Sequence, residues 1–192
     1  MSTMSLLETA YNLALAADRA TDSAVGEEIA KIVKLHAKLG VASAWIPVDG
    51  LDFAALAVNT WTMYVRINKA LDIPFSENVL KSLAAGIGTN IVSNVPVILV
   101  SEGLKLIPGI GSFFGAVILS ATFYTVTIAA GIVYMKALTL LLNNQSSLTE
   151  VDLKSAMDAF VSDKSAMRQI FSEANNEYEA AKKSGELNKK EQ

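Results

Sequence analysis

LIPGIGSFFGAVILSATFYTVTIAAGIVYM, residues Leu106–Met135, runs for 30 positions without one charged side chain. About 20 helical residues cross a hydrocarbon layer of about 30 Å, so this stretch is long enough to span a bilayer or to form the buried centre of a bundle. Immediately upstream, Ser82–Ser101 supplies 20 more uncharged residues, and only Glu102 and Lys105 of the link Glu-Gly-Leu-Lys separate the two. The pattern predicts an apolar helical hairpin over residues 82–135. The first arm is the more polar, with Asn90, Ser93, Asn94 and Pro96. Its amides need partners out of water, and Ser120, Thr122 or Thr125 on the second arm are candidates.

Charge is segregated around this segment. Residues 1–81 hold 7 basic and 9 acidic side chains and residues 136–192 hold 8 and 9. The 192-residue chain as a whole is 52% hydrophobic and 18% charged, with net charge -3 and no cysteine. It is too apolar for disorder and long enough for a core without cross-links. Disulfides and thiolate metal sites are excluded, and the absence of a basic excess argues against a nucleic-acid partner. Met1–Ala20 has no basic start followed by an apolar run, so no cleavable leader is expected and the protein is expected to begin in the cytoplasm. Lys81 and Lys136 flank one end of the hairpin and favour the same side, while Lys105 opposes it slightly.

Outside the hairpin the apolar residues recur at helical spacing: Leu6, Ala10, Leu13 and Ala17, then Ile29, Val33, His36 and Leu39 after possible caps at Asp22 and Ser23. Pro47 and Gly50 in IPVDGLD (residues 46–52) predict a turn, with Asp52 as N-cap of a helix reaching Leu71. Ser76 is the next expected cap, and Ser147-Leu-Thr-Glu150 fits a capping box before a charged helical region at 147–183. There Leu153, Met157, Phe160, Met167, Phe171, Ala174 and Tyr178 form a stripe, interrupted at Lys164, that predicts packing on the protein's own core. Alternation of apolar and polar residues is lacking, so the fold class is all-α: residues 1–142 form a helical domain, and the Lys- and Glu-rich tail, most clearly 184–192, is expected to be disordered.

Catalytic chemistry has little to work with. His36 is the single histidine, on the inward spacing of its helix, and no second His accompanies it for a metal pair. Asp49 and Asp52 fit a turn residue and a cap better than a cation site. Gly109, Gly111 and Gly115 imitate a dinucleotide fingerprint but lack the preceding strand; with Pro108 they fit a helix start and a close helix contact. No Gly-Lys pair exists for a phosphate loop. No catalytic residue, metal or cofactor is implied.

IPVDGLD at 46–52 with Met63 and Arg66, and LIPGIGS at 106–112 with Gly115, Thr127 and Gly131, resemble the bacterial YcjF-type domain of unknown function over residues 25–142. Asn59 stands where that family commonly has Gln, and Leu71-Asp72 replaces its usual Tyr-Gly. The resemblance implies a non-enzymatic, GTPase-associated helical module at the cytoplasmic face of the inner membrane. Its matching positions Pro47, Gly50, Asp52, Pro108, Gly109, Gly111 and Gly115 are structural. The expectation is therefore a membrane-associated scaffold or adaptor with lipid and a GTPase as partners. Two alternatives remain: a soluble homo-oligomeric bundle in the cytoplasm, with the hairpin buried between subunits, and a pore-forming effector.

Overall fold

Ser5 starts the first helix by exchanging two hydrogen bonds: its Oγ accepts from Glu8 N at 3.1 Å, and Glu8 Oε2 accepts from Ser5 N at 3.3 Å. That reciprocal cap satisfies two amides the helix leaves free. The computed structural model describes residues 5–17, 23–43, 51–86, 91, 112–145 and 148–187. Seven helical stretches appear there: α1 (Leu6–Ala16), α2 (Ser23–Ser43), α3 (Leu51–Leu71), α4 (77–86), α5 (Ser112–Asn143), α6 (Glu150–Ser162) and α7 (Lys164–Lys183). No strand occurs among the described residues, and the protein is an all-α helical bundle.

α5 is its axis. It packs against α1, α2, α3, α6 and α7, and every position from Phe123 to Met135 is buried. An amphipathic helix needs one wall, whereas a helix apolar all round needs walls on every side. The surrounding helices provide them with Leu13, Ile29, Val33, Met63, Leu153 and Phe171, all in one continuous core with α5. The charged C-terminal region thus packs on the same core, as its stripe predicts.

Glycine sets how closely two of these helices approach. A Cβ on Gly131 of α5 would stand 2.8 Å from Val33 Cγ1 of α2, too near for any real side chain. Gly26 of α2 is closed off in the same way by the Tyr11 ring of α1.

Several boundaries differ from expectation. The backbone is already helical at Leu51, so Asp52 lies inside the first turn of α3 instead of capping it. The cap of α6 is Thr149: its Oγ1 accepts from Asp152 N at 3.1 Å and donates to Asp152 Oδ2 at 2.6 Å. Ser147 lies outside the described residues. Asp163 separates α6 from α7 and caps the latter, accepting from Ser165 N at 2.8 Å and Ala166 N at 3.1 Å. Ser76 does cap α4, its Oγ accepting from Val79 N at 3.4 Å.

Two helix ends close with a six-residue backbone hydrogen bond around a left-handed residue, and a third left-handed residue, Gln145 (φ 51°), follows α5. Asp72 has φ 56° and completes a Schellman turn, with Ile73 N donating to Asn68 O at 3.0 Å. The second end is Gly185, φ 74°, where Glu186 N donates to Ala181 O at 3.1 Å. This stop redirects the chain so that Glu186 pairs with Lys38 of α2 and Leu187 packs against the core. Residues 184–187 of the tail expected to be disordered thus turn back onto the bundle, and residues 188–192 lie outside the described residues.

Candidate functional site

The turn and contact residues anticipated from sequence are only partly described. Pro47, Gly50, Pro108, Gly109 and Gly111 lie outside the described residues; so do Asn90, Asn94 and the link between the two arms of the hairpin. Gly115 falls within the first turns of α5. Elsewhere on that helix, Thr127 and Gly131, two residues that carry the resemblance, form the crossing with α2. Thr127 Oγ1 stands 3.3 Å from where a Cβ on Gly40 would lie, one turn from the Gly131–Val33 contact. Ser120 Oγ is buried without a hydrogen bond.

His36 is buried in α2, as its spacing predicts. Its Nδ1 lies 2.8 Å from Asn59 Oδ1, while Asn59 Nδ2 donates to the His36 carbonyl at 2.8 Å. The amide is thereby oriented with its oxygen toward the ring, so Nδ1 carries the proton and Nε2 is left as a buried lone pair without a partner. Burial lowers the pKa of His36 below its ordinary value, against the opposing pull of the Asn59 bond. The imidazole is a neutral clasp between α2 and α3. Asn59, 23 residues downstream, stood out in the sequence only as a family difference.

A second polar contact joins α3 to α5. Tyr64 and Tyr134 stack with ring centroids 4.0 Å apart. Tyr134 Oη donates to Asn68 Oδ1 at 2.6 Å, and Tyr64 Oη donates to the Ala130 carbonyl at 3.3 Å. These bonds satisfy phenol groups that are buried away from water in the core. The geometry is that of structural cross-links, without an open face where substrate could meet them. No three His, Asp or Glu side chains gather to hold a metal among the described residues.

The one charge on α5 is Lys136, half-buried where α1, α6 and α7 meet the helix. Two adjoining openings share Lys136 and Phe160 as a common wall. The larger, about 350 Å³, is lined by Thr9, Asn12, Leu15, Thr139, Leu140 and Asn143. The smaller, about 170 Å³, includes Gln169 and Glu173. Glu173 is buried and its Oε1 accepts from Leu6 N at 3.0 Å, at the positive start of α1. Burial raises its pKa above the ordinary carboxylate value, outweighing that bond.

No protein-family model matches the chain, and no solved structure matches it. Magnetosome membrane protein 22 of Magnetospirillum gryphiswaldense is 29% identical over 119 residues, 60% of this chain and 61% of that protein. The chain thus spans about six tenths of the length of this curated relative.

Proposed function

We propose that this protein is a non-enzymatic, membrane-associated helical scaffold. The observation that carries the reading is α5 from Ser120 to Asn143: 24 residues whose most apolar 18 have a mean hydropathy of 1.8 and whose single charge is Lys136. That length exceeds the about 20 residues needed to cross a bilayer. The similarity to a protein named for a membrane supports the same reading. Among the described residues no reactive constellation is assembled: the lone His is clasped by Asn59, and the buried tyrosines hold helices together.

α5 meets lipid only if the surrounding helices yield, because 78% of its most apolar 18 residues are enclosed by the bundle. The same enclosure favours a second reading, a soluble bundle whose core helix happens to be long and apolar, with self-association through remaining exposed apolar residues. The finer parts of the first reading are attachment at the cytoplasmic face of the inner membrane and a GTPase partner, both supported by the resemblance to the YcjF-type domain.

Membrane fractionation with carbonate washing separates the readings. Retention of the native protein after the wash is the expected result, and protease access to the Glu102–Lys105 link in sealed vesicles then distinguishes a spanning hairpin from one lying on the surface. Recovery wholly in the soluble fraction would overturn membrane association and leave α5 as a protein core.

A further inference from the structure

We propose that the larger opening beside Lys136, between α1, α5 and α6, is a binding site for an anionic amphiphile: a carboxylate or phosphate carrying an apolar chain. The site belongs to the closed bundle and would work whether or not the bundle attaches to a bilayer.

Three observations converge on it. Lys136 makes no ion pair with the described residues, although it is half-buried in an otherwise uncharged helix. An ammonium withdrawn from water without a counter-charge is unfavourable, so an anion placed there gains more than it would on an open surface. Thr9 lines the same opening; the residue is only 1% exposed and its Oγ1 has no hydrogen-bond partner. A buried hydroxyl in that state has an unused donor that an anionic oxygen would satisfy. Asn12 and Asn143 add amide donors at the rim.

The distribution of charge selects the larger opening over its neighbour. Glu173 lines only the smaller one, and none of the described residues lining the larger is a carboxylate. Its remaining lining explains the apolar chain. Leu15 and Leu140 are 59% and 43% exposed, among the most exposed large apolar side chains of the protein, and both border this opening together with Phe160. A volume of about 350 Å³ lies at the small end of the range for small-molecule sites, enough for a head group and part of an alkyl chain.

The test is calorimetric titration of the full chain with sodium decanoate, and separately with decyl phosphate, both below their micelle concentrations. Octyl glucoside serves as the uncharged control. Saturable binding of one equivalent of either anion is expected. Lys136→Gln should weaken it by about tenfold or more, Thr9→Val by a smaller factor, and Lys136→Arg should retain most of it because the charge remains. Thermal melts of each variant report whether the bundle is intact. Absence of saturable binding by the unaltered protein would overturn the proposal. So would equal affinity in a folded Lys136→Gln variant, or octyl glucoside binding as tightly as decanoate.

Co-sedimentation with phosphatidylglycerol vesicles then identifies the source. If Lys136→Gln also releases the vesicles, the anion is a lipid head group; if vesicle binding is unchanged while decanoate binding is lost, it is a free amphiphile. The titration contains no bilayer, so its failure would leave the carbonate experiment standing, and the reverse also holds.

Discussion

α5 and α7 pack against each other, yet their sequences make helices in different ways. Along α7 the buried positions Met167, Ile170, Phe171, Ala174, Tyr178 and Ala181 return every third or fourth residue, and Lys, Arg, Gln, Asn and Glu fill much of the rest. Its ends are written locally: Asp163 caps the start, Lys182 and Lys183 sit in the last turn, and Gly185 stops it. α5 has no polar face, and its burial from Phe123 to Met135 depends on the five helices around it. The comparison teaches that α7 needs one wall and carries its own punctuation, while the environment of α5 is lent by its neighbours. Those neighbours, or lipid, can supply apolar surroundings of the same kind.

The strongest way to break this comparison is to remove the wall. Phe171 is 2% exposed at the face of α7 that packs into the shared core. Phe171→Ala is expected to cost about 3–5 kcal/mol, the usual range for emptying a large aromatic site. In a chain of this size each kcal/mol corresponds to roughly 2–4 °C in Tm. Urea unfolding measures the loss. A cost below about 1 kcal/mol would show that α5 does not depend on α7 for its burial.

On α5 itself the informative substitution is Tyr134→Phe. It removes the donor to Asn68 Oδ1 while keeping the stacked ring, and leaves a buried Asn whose Nδ2 already lacks a partner. About 2 kcal/mol of destabilisation is expected, since an orphaned buried acceptor loses its hydration without replacement. Ser120→Ala is the control from the same helix. Its Oγ has no hydrogen bond to lose, so the change should be neutral or stabilising by thermal melt.

The asymmetry between the two helices also explains what sequence could and could not tell. The uncharged run, the inward His36, the Ser76 cap and the C-terminal stripe are local patterns, and each was legible. The cap of α6 was displaced by two residues because Ser147-x-x-Glu150 overlaps Thr149-x-x-Asp152; only placement shows that Thr149 meets Asp152. At the C-terminus the signal Lys182-Lys183-Ser184-Gly185 for a helix stop was present, but the polar composition of the tail dominated the reading. Pairings across the chain left no local mark. Asn59 meets His36 at a separation of 23 residues, and Tyr134 meets Asn68 at a separation of 66. For the candidate site, the isolation of Lys136 could be read from sequence. The burial of Thr9 beside it could not, because the two are joined only by the crossing of α1 over α5.

A smaller effect tests whether the start of α7 is truly local. Asp163→Ala removes the oxygen that accepts from Ser165 N and Ala166 N, and should cost about 1 kcal/mol. The measurement is the shift in Tm, with loss of helical circular dichroism near the transition. A much larger loss would mean that the α6–α7 junction positions the whole C-terminal wall, which would make α7 as dependent on its neighbours as α5.

The smallest expected effect concerns the one place where α7 departs from its own pattern by burying a carboxylate. Glu173 accepts from Leu6 N but is held above its ordinary pKa chiefly by burial, with Glu177 and Glu8 adding repulsion and Lys34 opposing it. Below the ordinary value of 4.5 the group is protonated in both folded and unfolded chains, and its charge costs nothing. As pH rises past that value the unfolded chain releases its proton first, so the folded protein loses stability until its own carboxyl ionises. Glu173→Gln keeps an oxygen for Leu6 N and removes the titration. Its Tm relative to the unaltered protein should therefore rise from pH 4 to pH 7 and then level, by no more than about 2–4 °C. If the difference falls over that range instead, the carboxylate strengthens the start of α1 more than burial penalises it. Glu173 would then be a charged bridge from α7 to α1, and the wall around α5 would be fastened by an ionised group as well as by apolar contact.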